Sequence, residues 1–382
     1  MLTSFKTDLK PFEELAGAFA AKELTKKVEE HDKYPFGEFF TKVMDKMYDV
    51  GFLGVVLPED LGGIGGSINT LCVILERICR ADSSAGGIIF TNALAQEIML
   101  SAGAGALLKN IFPKASSCGE FLVAFPSYID PGHTDRLPVA MKKGKDYILE
   151  GTLDFLVLGG LASNAVIPAR MNNDASYSFY LVDLDDEGIE KSAPIFTLGM
   201  HACPAVDITM KGAKARLVGK QGKGSVYFKD VFPKMNIAAA AMNAGIMRGS
   251  LGEALAYSKE RFQGGREIVK WSEVSMLLAG MAIKADVAGM CVAQACQVLD
   301  KEHGVWDSSS IAAALHIHEL ACEAVTDGVQ VLGGYGYMKD YGQEKRYRDA
   351  RQVQALLGAA PLKKIDLIRG LAGLSDTDPP GR

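Results

Sequence analysis

Two kinds of residue in this chain have the type and spacing to do chemistry. Arg261, near the end of a charged helical stretch, and the run Gln330-Val-Leu-Gly333-Gly334-Tyr-Gly336-Tyr337 supply a guanidinium fork and closely approachable backbone N–H groups. A pyrophosphate needs both, so these residues are candidates for holding a dinucleotide. The plain alternatives are a solvated arginine and a glycine turn that ends a helix. His316 and His318, in His-Ile-His-Glu319, invite a metal reading, but positions i and i+2 of a helix face apart, so no shared metal is expected. Cys72, Cys79, Cys118, Cys203, Cys291, Cys296 and Cys322 are scattered without a C-x-x-C pair. They read as small buried hydrophobes of a reducing compartment.

Three blocks must position these groups. Apolar residues recur at helical spacing through the first part, as in 36–50, Asn69–Ala81 and Asn92–Ala102, broken by the glycine-rich loop Pro58–Gly66. From Cys118 short segments rich in β-branched and aromatic residues alternate with turns: Glu120–Phe125, Asp146–Leu149, Ala165–Pro168, Ser176–Val182, Val206–Met210 and Ala215–Val218. That spacing predicts a small sandwich or barrel. Long helical periods return in Asn236–Arg261, Ile268–His303, Ser308–Leu332 and Gln343–Gly373, as an antiparallel bundle requires. The expected domains are therefore 1–117, 118–228 and 229–382.

Composition narrows the function classes. With 382 residues, 48% hydrophobic and 23% charged, the chain is an ordinary globular protein. Its formal charge of -5 provides no global field for nucleic acid or an anionic membrane. The longest apolar runs, Ile237–Ala241 and Leu277–Ile283, fall short of the ~20 residues of a membrane span, so none is expected. Met1–Lys10 lacks an apolar core, so the expected start is Met1 and the expected location the cytoplasm.

Tyr257-Ser-Lys-Glu-Arg261-Phe-Gln263-Gly-Gly265, the Gln330–Tyr337 run and Arg346-Tyr-Arg348-Asp349-Ala-Arg occur in one order. They resemble the C-terminal motifs of the flavin-dependent acyl-CoA dehydrogenases. Leu53–Gly63 and Asp146–Phe155 resemble that family's N-terminal loop and β-domain segment. The resemblance implies a mainly α fold with a central β domain: N-terminal helical domain, middle β-barrel and C-terminal four-helix bundle, assembled as a dimer or tetramer. It also implies FAD, an acyl-CoA thioester and electron-transferring flavoprotein as cofactor, substrate and electron partner. The positions it assigns to FAD are Thr134, Phe155, Val157, Arg261, Ser272, Gln330, Gly333 and Gly334, with Asn236 and Gly358 on the substrate side. The ADP part of FAD would be held across a subunit interface.

The family's reaction removes the α-proton of a thioester with a carboxylate while a hydride leaves Cβ. So weak an acid needs a positioned base and a polarised carbonyl. The family's usual Tyr-Glu-Gly-Thr run falls on Leu356-Leu357-Gly358-Ala359, placing Leu357 where the base belongs. The family's other base position falls on Met235 and Asn236. The Leu357 backbone N–H is expected to keep its part in polarising the thioester. The flavin segment Trp-Ile-Thr-Asn-Gly becomes Phe155-Leu-Val157-Leu158-Gly159, where backbone contacts are expected to persist. Tyr128–Asp135 retains only Thr134-Asp135 of the family's acidic loop, Ala359-Ala360-Pro361 replaces a Thr-Ser-Glu segment, and Gly264 replaces a Phe. Glu97 is a candidate substitute base, its alternative being an exposed helix carboxylate. His201 replaces a family Arg and is expected on the barrel surface, and Tyr335 and Tyr337 in packing.

The leading expectation is an FAD-dependent oxidoreductase acting on the CH–CH group of an acyl-CoA, with a non-standard base. One alternative is a non-catalytic or cofactor-sharing subunit paired with a glutamate-bearing paralogue. Another is an FAD-containing acyl-CoA lyase such as a desulfinase or decarboxylase.

Overall fold

Capping side chains and close-packed glycines shape the N-terminal part. The computed structural model describes residues 9–33, 38–144, 146–171, 174, 176–301 and 308–373. Its first helices are α1 (Lys10–Phe19), α2 (Val28–His31), α3 (Glu38–Asp49), α4 (Ile68–Cys79), α5 (Ser83–Ser101), α6 (Gly105–Ile111) and α7 (Cys118–Phe121). Ser67 caps α4 by accepting from the Thr70 N–H, and Asp82 caps α5 by accepting from Ser84, each satisfying an orphan donor of the first turn. The Pro58–Gly66 loop folds back on itself, and a Cβ at Gly63 would overlap the Leu57 carbonyl. Asn92 and Gln96 of α5 both donate to the Leu53 carbonyl, at 2.7 and 2.9 Å. They pin the turn that precedes this loop to a helix that is buried along nearly its whole length.

The middle part contains β1 (Val123–Ala124), β2 (Val139–Lys143), β3 (Asp146–Val157), β4 (Asn164–Met171), β5 (Tyr177–Asp183), β6 (Ile189–Lys191) and β7 (Ala205–Val218). Pairings β4–β2, β2–β3, β3–β7, β7–β5 and β5–β4 close a ring. The result is a barrel without the open edge of a sandwich. Two register shifts interrupt β3 against β7, after Leu149 and after Leu153. The second matters for the site, because it turns Phe155 out of the ladder.

The last part contains α8 (Gly224–Glu260), the hairpin β8 (Phe262–Gln263) and β9 (Arg266–Glu267), then α9 (Ser272–Lys301), α10 (Ser308–Leu332), α11 (Gln343–Val353) and α12 (Ala360–Ala372). Helices α8, α9 and α10 pack pairwise, while α11 and α12 lie against α10. Helix α8 also packs on α4 and α5, where a Cβ at Gly245 or Gly249 would overlap the carbonyls of Glu76 or Arg80. These glycines let two helices approach backbone to backbone.

Several elements differ from the sequence reading. Helix α8 begins at Gly224 and runs through Pro233, whereas the proline argues for a start after it. Glu120–Phe125 is a helical turn followed by a two-residue strand. Val206–Met210 and Ala215–Val218 are one strand. Gln343–Gly373 is two helices, broken at Leu357 (φ +60) and Gly358 (φ +101), with Pro361 in the first turn of α12, where a proline fits. Within α9, Ser272–Leu299 is long and apolar enough by composition to cross a membrane, although only 33% of it is buried here. Counting uninterrupted runs missed it because Lys284 and Asp286 divide it. Those charges pair with Asp327 of α10 and Arg248 of α8.

Candidate flavin and acyl-CoA site

Four loops converge between barrel and bundle, and backbone strain collects there. The non-glycine residues at positive φ among the described residues are Phe155 (+57), Leu158 (+66), Met200 (+47) and Leu357 (+60). Such conformations cost ~1–2 kcal/mol each for an L-residue and persist where surroundings over-determine them. The hydrogen bonds that do so are explicit. Phe155 donates its N–H to Asp207 Oδ1 at 2.9 Å, and Leu158 donates to the Pro204 carbonyl at 2.8 Å. Met200 donates to Asp349 Oδ1 at 2.7 Å. Leu357 donates to the Ser127 carbonyl at 2.7 Å.

That last bond involves the N–H to which the resemblance gives a part in polarising the thioester. The Leu357 side chain is fully buried, and its N–H is satisfied within the protein. A buried amide must find a partner, and here the partner is Ser127 rather than space left for a thioester oxygen. The Val157 peptide is paired in the same way. Its N–H donates to the Phe125 carbonyl at 3.1 Å, and its carbonyl accepts from Phe125 at 3.2 Å, so this peptide belongs to a β-bridge. The Thr134 hydroxyl accepts from the Arg136 N–H at 3.1 Å, and its carbonyl accepts from Arg170 at 2.8 Å. Asn236 is buried and donates to Phe232, one turn back, at 2.9 Å. Met235 beside it is buried. A side chain at Gly358 would lie against Asp130 in a strained backbone. At this end the N–H groups of Phe155, Val157 and Leu357 are already bonded within the protein, whereas the Thr134 hydroxyl only accepts and keeps its own O–H donor, so an isoalloxazine ring would find few backbone donors here.

Glu97 lies on α5, 3.3 Å from Lys234 Nζ of α8. Burial raises its pKa while Lys234 opposes the rise. It is joined to Lys234 and not to the cluster around Leu357. An 820 Å³ cavity lined by Asp130, His133, Phe232, Asp366 and Arg369 opens between the start of α8 and α12; neither Glu97 nor Leu357 lines it.

The other end of the site is built differently. At one end of the bundle Ala254, Leu278, Met281, Val331 and Leu332 form a small separate core joining α8, α9 and α10. Around it the structure gathers Arg261, Ser272, Gln330, Gly333 and Gly334, all exposed. The Arg261 guanidinium lies 5.8 Å from the Tyr335 ring centroid. Tyr335 packs against Tyr257 and Tyr341, as the sequence suggests, whereas Tyr337 is 70% exposed. A Cβ at Gly264 would stand 2.8 Å from Trp271 Cζ2, over which Arg266 lies at 3.9 Å. With Gly264 at φ +64, a larger residue there would be strained and crowded against that stack. The exposed Arg261 guanidinium and Gly333-Gly334 backbone fit the anionic end of a dinucleotide, whereas the Ser272 hydroxyl donates to the Glu273 carboxylate at 3.1 Å.

The sequence reading missed the ion network behind the cleft. Lys345 Nζ lies 3.0 Å from Asp82 Oδ1 and 2.5 Å from Asp349 Oδ2, all three buried. His31 Nδ1 adds a contact to Asp82 at 2.7 Å. His201 is 8% exposed, not a surface residue. Its Nδ1 lies 3.0 Å from Asp32 Oδ1 and its Nε2 3.0 Å from the Thr197 carbonyl. Burial alone would raise the Asp32 pKa, but hydrogen bonds from His201 and Arg348 outweigh it and bring it to about 2. The only signal in the sequence was the charge density of Glu344–Arg351.

Residues 7–118 match the description "Acyl-CoA dehydrogenase, N-terminal domain" and residues 222–371 "Acyl-CoA dehydrogenase, C-terminal domain". A caffeyl-CoA reductase–Etf complex subunit of Acetobacterium woodii is 28% identical over 94% of this chain and 97% of its own length. A cyclohexane-1-carbonyl-CoA dehydrogenase of Geobacter metallireducens is 27% identical, covering 87% and 90%. Butyryl-CoA dehydrogenase of Megasphaera elsdenii superposes with a TM-score of 0.86 at 22% identity, over 97% of this chain and all of that one. Two matched domains, a closed barrel between them and agreement along nearly the whole chain leave one conclusion: this protein belongs to the acyl-CoA dehydrogenase family.

Proposed function

We propose that this chain is a cofactor-sharing subunit, without a reaction centre of its own, in a hetero-oligomeric acyl-CoA oxidoreductase that includes a glutamate-bearing sister chain. The observation that carries this reading is Leu357, which offers no base and whose N–H is bonded to Ser127. Removing a thioester α-proton requires both a base and a polarised carbonyl, and the sister chain would supply them. FAD, which provides the hydride acceptor when bound, would meet this chain through Arg261, Ser272, Gln330 and Gly333-Gly334. Exposed Met276, Ile283 and Met290 repeat every seven residues along α9, which supports an apolar contact with another subunit. Electron-transferring flavoprotein would take electrons from the assembly. Seven free thiols suit the reducing cytoplasm.

A second reading, an active chain with Glu97 as base, is favoured by the burial that raises the Glu97 pKa. One experiment separates the two. The purified chain is mixed with excess FAD, and flavin absorbance is followed as butyryl-CoA, glutaryl-CoA or cyclohexane-1-carbonyl-CoA is added to the oxidised flavin, or caffeyl-CoA to flavin first reduced with dithionite. No bleaching or re-oxidation is expected from the chain alone. Substrate-dependent flavin redox change in the lone chain overturns the subunit reading, and its loss in Glu97→Gln would then assign the base.

A further inference from the structure

We propose that Gln352 and Tyr128 form a latch that excludes the isoalloxazine ring from this chain's own cleft; the proposal rests on the subunit reading above. Gln352, near the end of α11, is 8% exposed, and both ends of its carboxamide are used. Oε1 accepts the Gly199 N–H at 2.6 Å, and Nε2 donates to the Tyr128 hydroxyl oxygen at 2.7 Å. The Tyr128 ring lies edge-on to Phe155, with centroids 6.3 Å apart. Five residues after Gln352, the Leu357 N–H meets the Ser127 carbonyl. Two direct hydrogen bonds thus join residues 127–128 to the 352–357 segment.

The geometry decides between a slot and a seam. Carbon atoms in contact stand about 3.5–4 Å apart, so a flat ring held between two walls needs them about 7 Å apart. Here wall touches wall at 2.7 Å. Phe155, Leu158, Met200 and Leu357 hold positive φ around the seam, and the closure is made by side chains and one peptide. An apolar side chain at 352 would form neither of the carboxamide's bonds, and a small residue at 128 would not fill the gap.

The test uses the full chain and FAD as probe. Flavin retention after gel filtration and the visible circular dichroism of bound flavin are measured for the wild type, Gln352→Leu and Tyr128→Ser/Gln352→Leu. The wild type is expected to retain little flavin and to show no induced visible signal. The double variant is expected to bind at least tenfold more tightly and to show one. A wild type that holds one FAD per chain with an induced signal overturns the latch; if it is unaffected by acyl-CoA, the subunit reading still stands. A double variant that melts like the wild type but gains no flavin also overturns the latch. Should the double variant not fold, amide exchange decides. Gly199 is expected to be protected in the wild type and to exchange at least tenfold faster in Gln352→Leu, and equal exchange overturns the proposal.

Discussion

Lys345→Met takes a cation from between two buried carboxylates. Lys345 is 4% exposed, Asp82 and Asp349 no more than 1%, and the contacts are 3.0 and 2.5 Å. Removing one partner of a buried ion pair costs ~3–5 kcal/mol because the other charge is stranded. Here two are stranded, but each keeps donors: Asp82 has His31 and the Ser84 N–H, and Asp349 has the Met200 N–H. We therefore expect a loss of about 4 kcal/mol at pH 7. With a urea dependence of about 3 kcal/mol per molar, the unfolding midpoint falls by more than about 1 M. Lys345→Met/Asp349→Leu should recover about 2 kcal/mol, since one stranded charge is gone. Acid supplies a second reading. The pKa of Asp82 is lowered, burial being outweighed by Lys345 and His31; Asp32 sits near 2 for the reasons given above. A depressed carboxylate stabilises above its unfolded pKa, near 4, and that stability is lost as pH falls through the folded value. The wild type should therefore lose stability steeply below about pH 4 and Lys345→Met less steeply. A single variant within about 1 kcal/mol of wild type, or a double variant as damaged as the sum of its parts, would refute the reasoning.

His201→Gln removes a group whose pKa is raised, chiefly by its hydrogen bond to Asp32 and against the effect of burial. The stabilisation is present below about pH 6.5 and lost as pH rises through the folded value. The wild-type advantage in urea melts should therefore be larger at pH 6 than at pH 9. Lys363 is buried, and that burial lowers its pKa to about 8; its Nζ donates to the Leu356 carbonyl at 2.5 Å. Charging it costs stability below pH 8, a cost relieved as pH rises toward about 10.4. Lys363→Met should thus gain stability relative to wild type at pH 7 and lose that gain by pH 10. Leu357→Glu places a carboxyl in a fully buried site. It should cost about 1–3 kcal/mol, with the acid kept neutral at pH 7. It should confer no acyl-CoA-dependent bleaching, because the Ser127 bond still occupies the adjacent N–H.

Regular elements were legible where periodicity is sustained. The order of helices, strands and helices follows from it, as does the burial of most cysteines. Legibility failed at places where a local signal and a tertiary one conflict. Pro233 argues for a helix start, yet the α8 backbone continues through it in a heavily buried helix. His201 looked like a surface residue because its partner Asp32 is far away in sequence. Tyr128 and Gln352 carried no signal, since their bond links residues 224 positions apart.

By itself the sequence determined the family and the composition of each site. The absence of a carboxylate at 357 and 235–236, and the presence of Arg261 and the glycine turn, are properties of residue identity. Whether a backbone N–H is available is a different matter. Every residue but proline carries one, so the sequence is silent, and only the assembled fold decides which carbonyl it meets. The fold gave the Leu357 N–H to Ser127 and the Val157 peptide to Phe125. It left Arg261, Ser272 and Gln330 exposed at the other end of the bundle. That division, between N–H groups already paired at one end and side chains left exposed at the other, is set by how buried polar groups pair across loops distant in the chain.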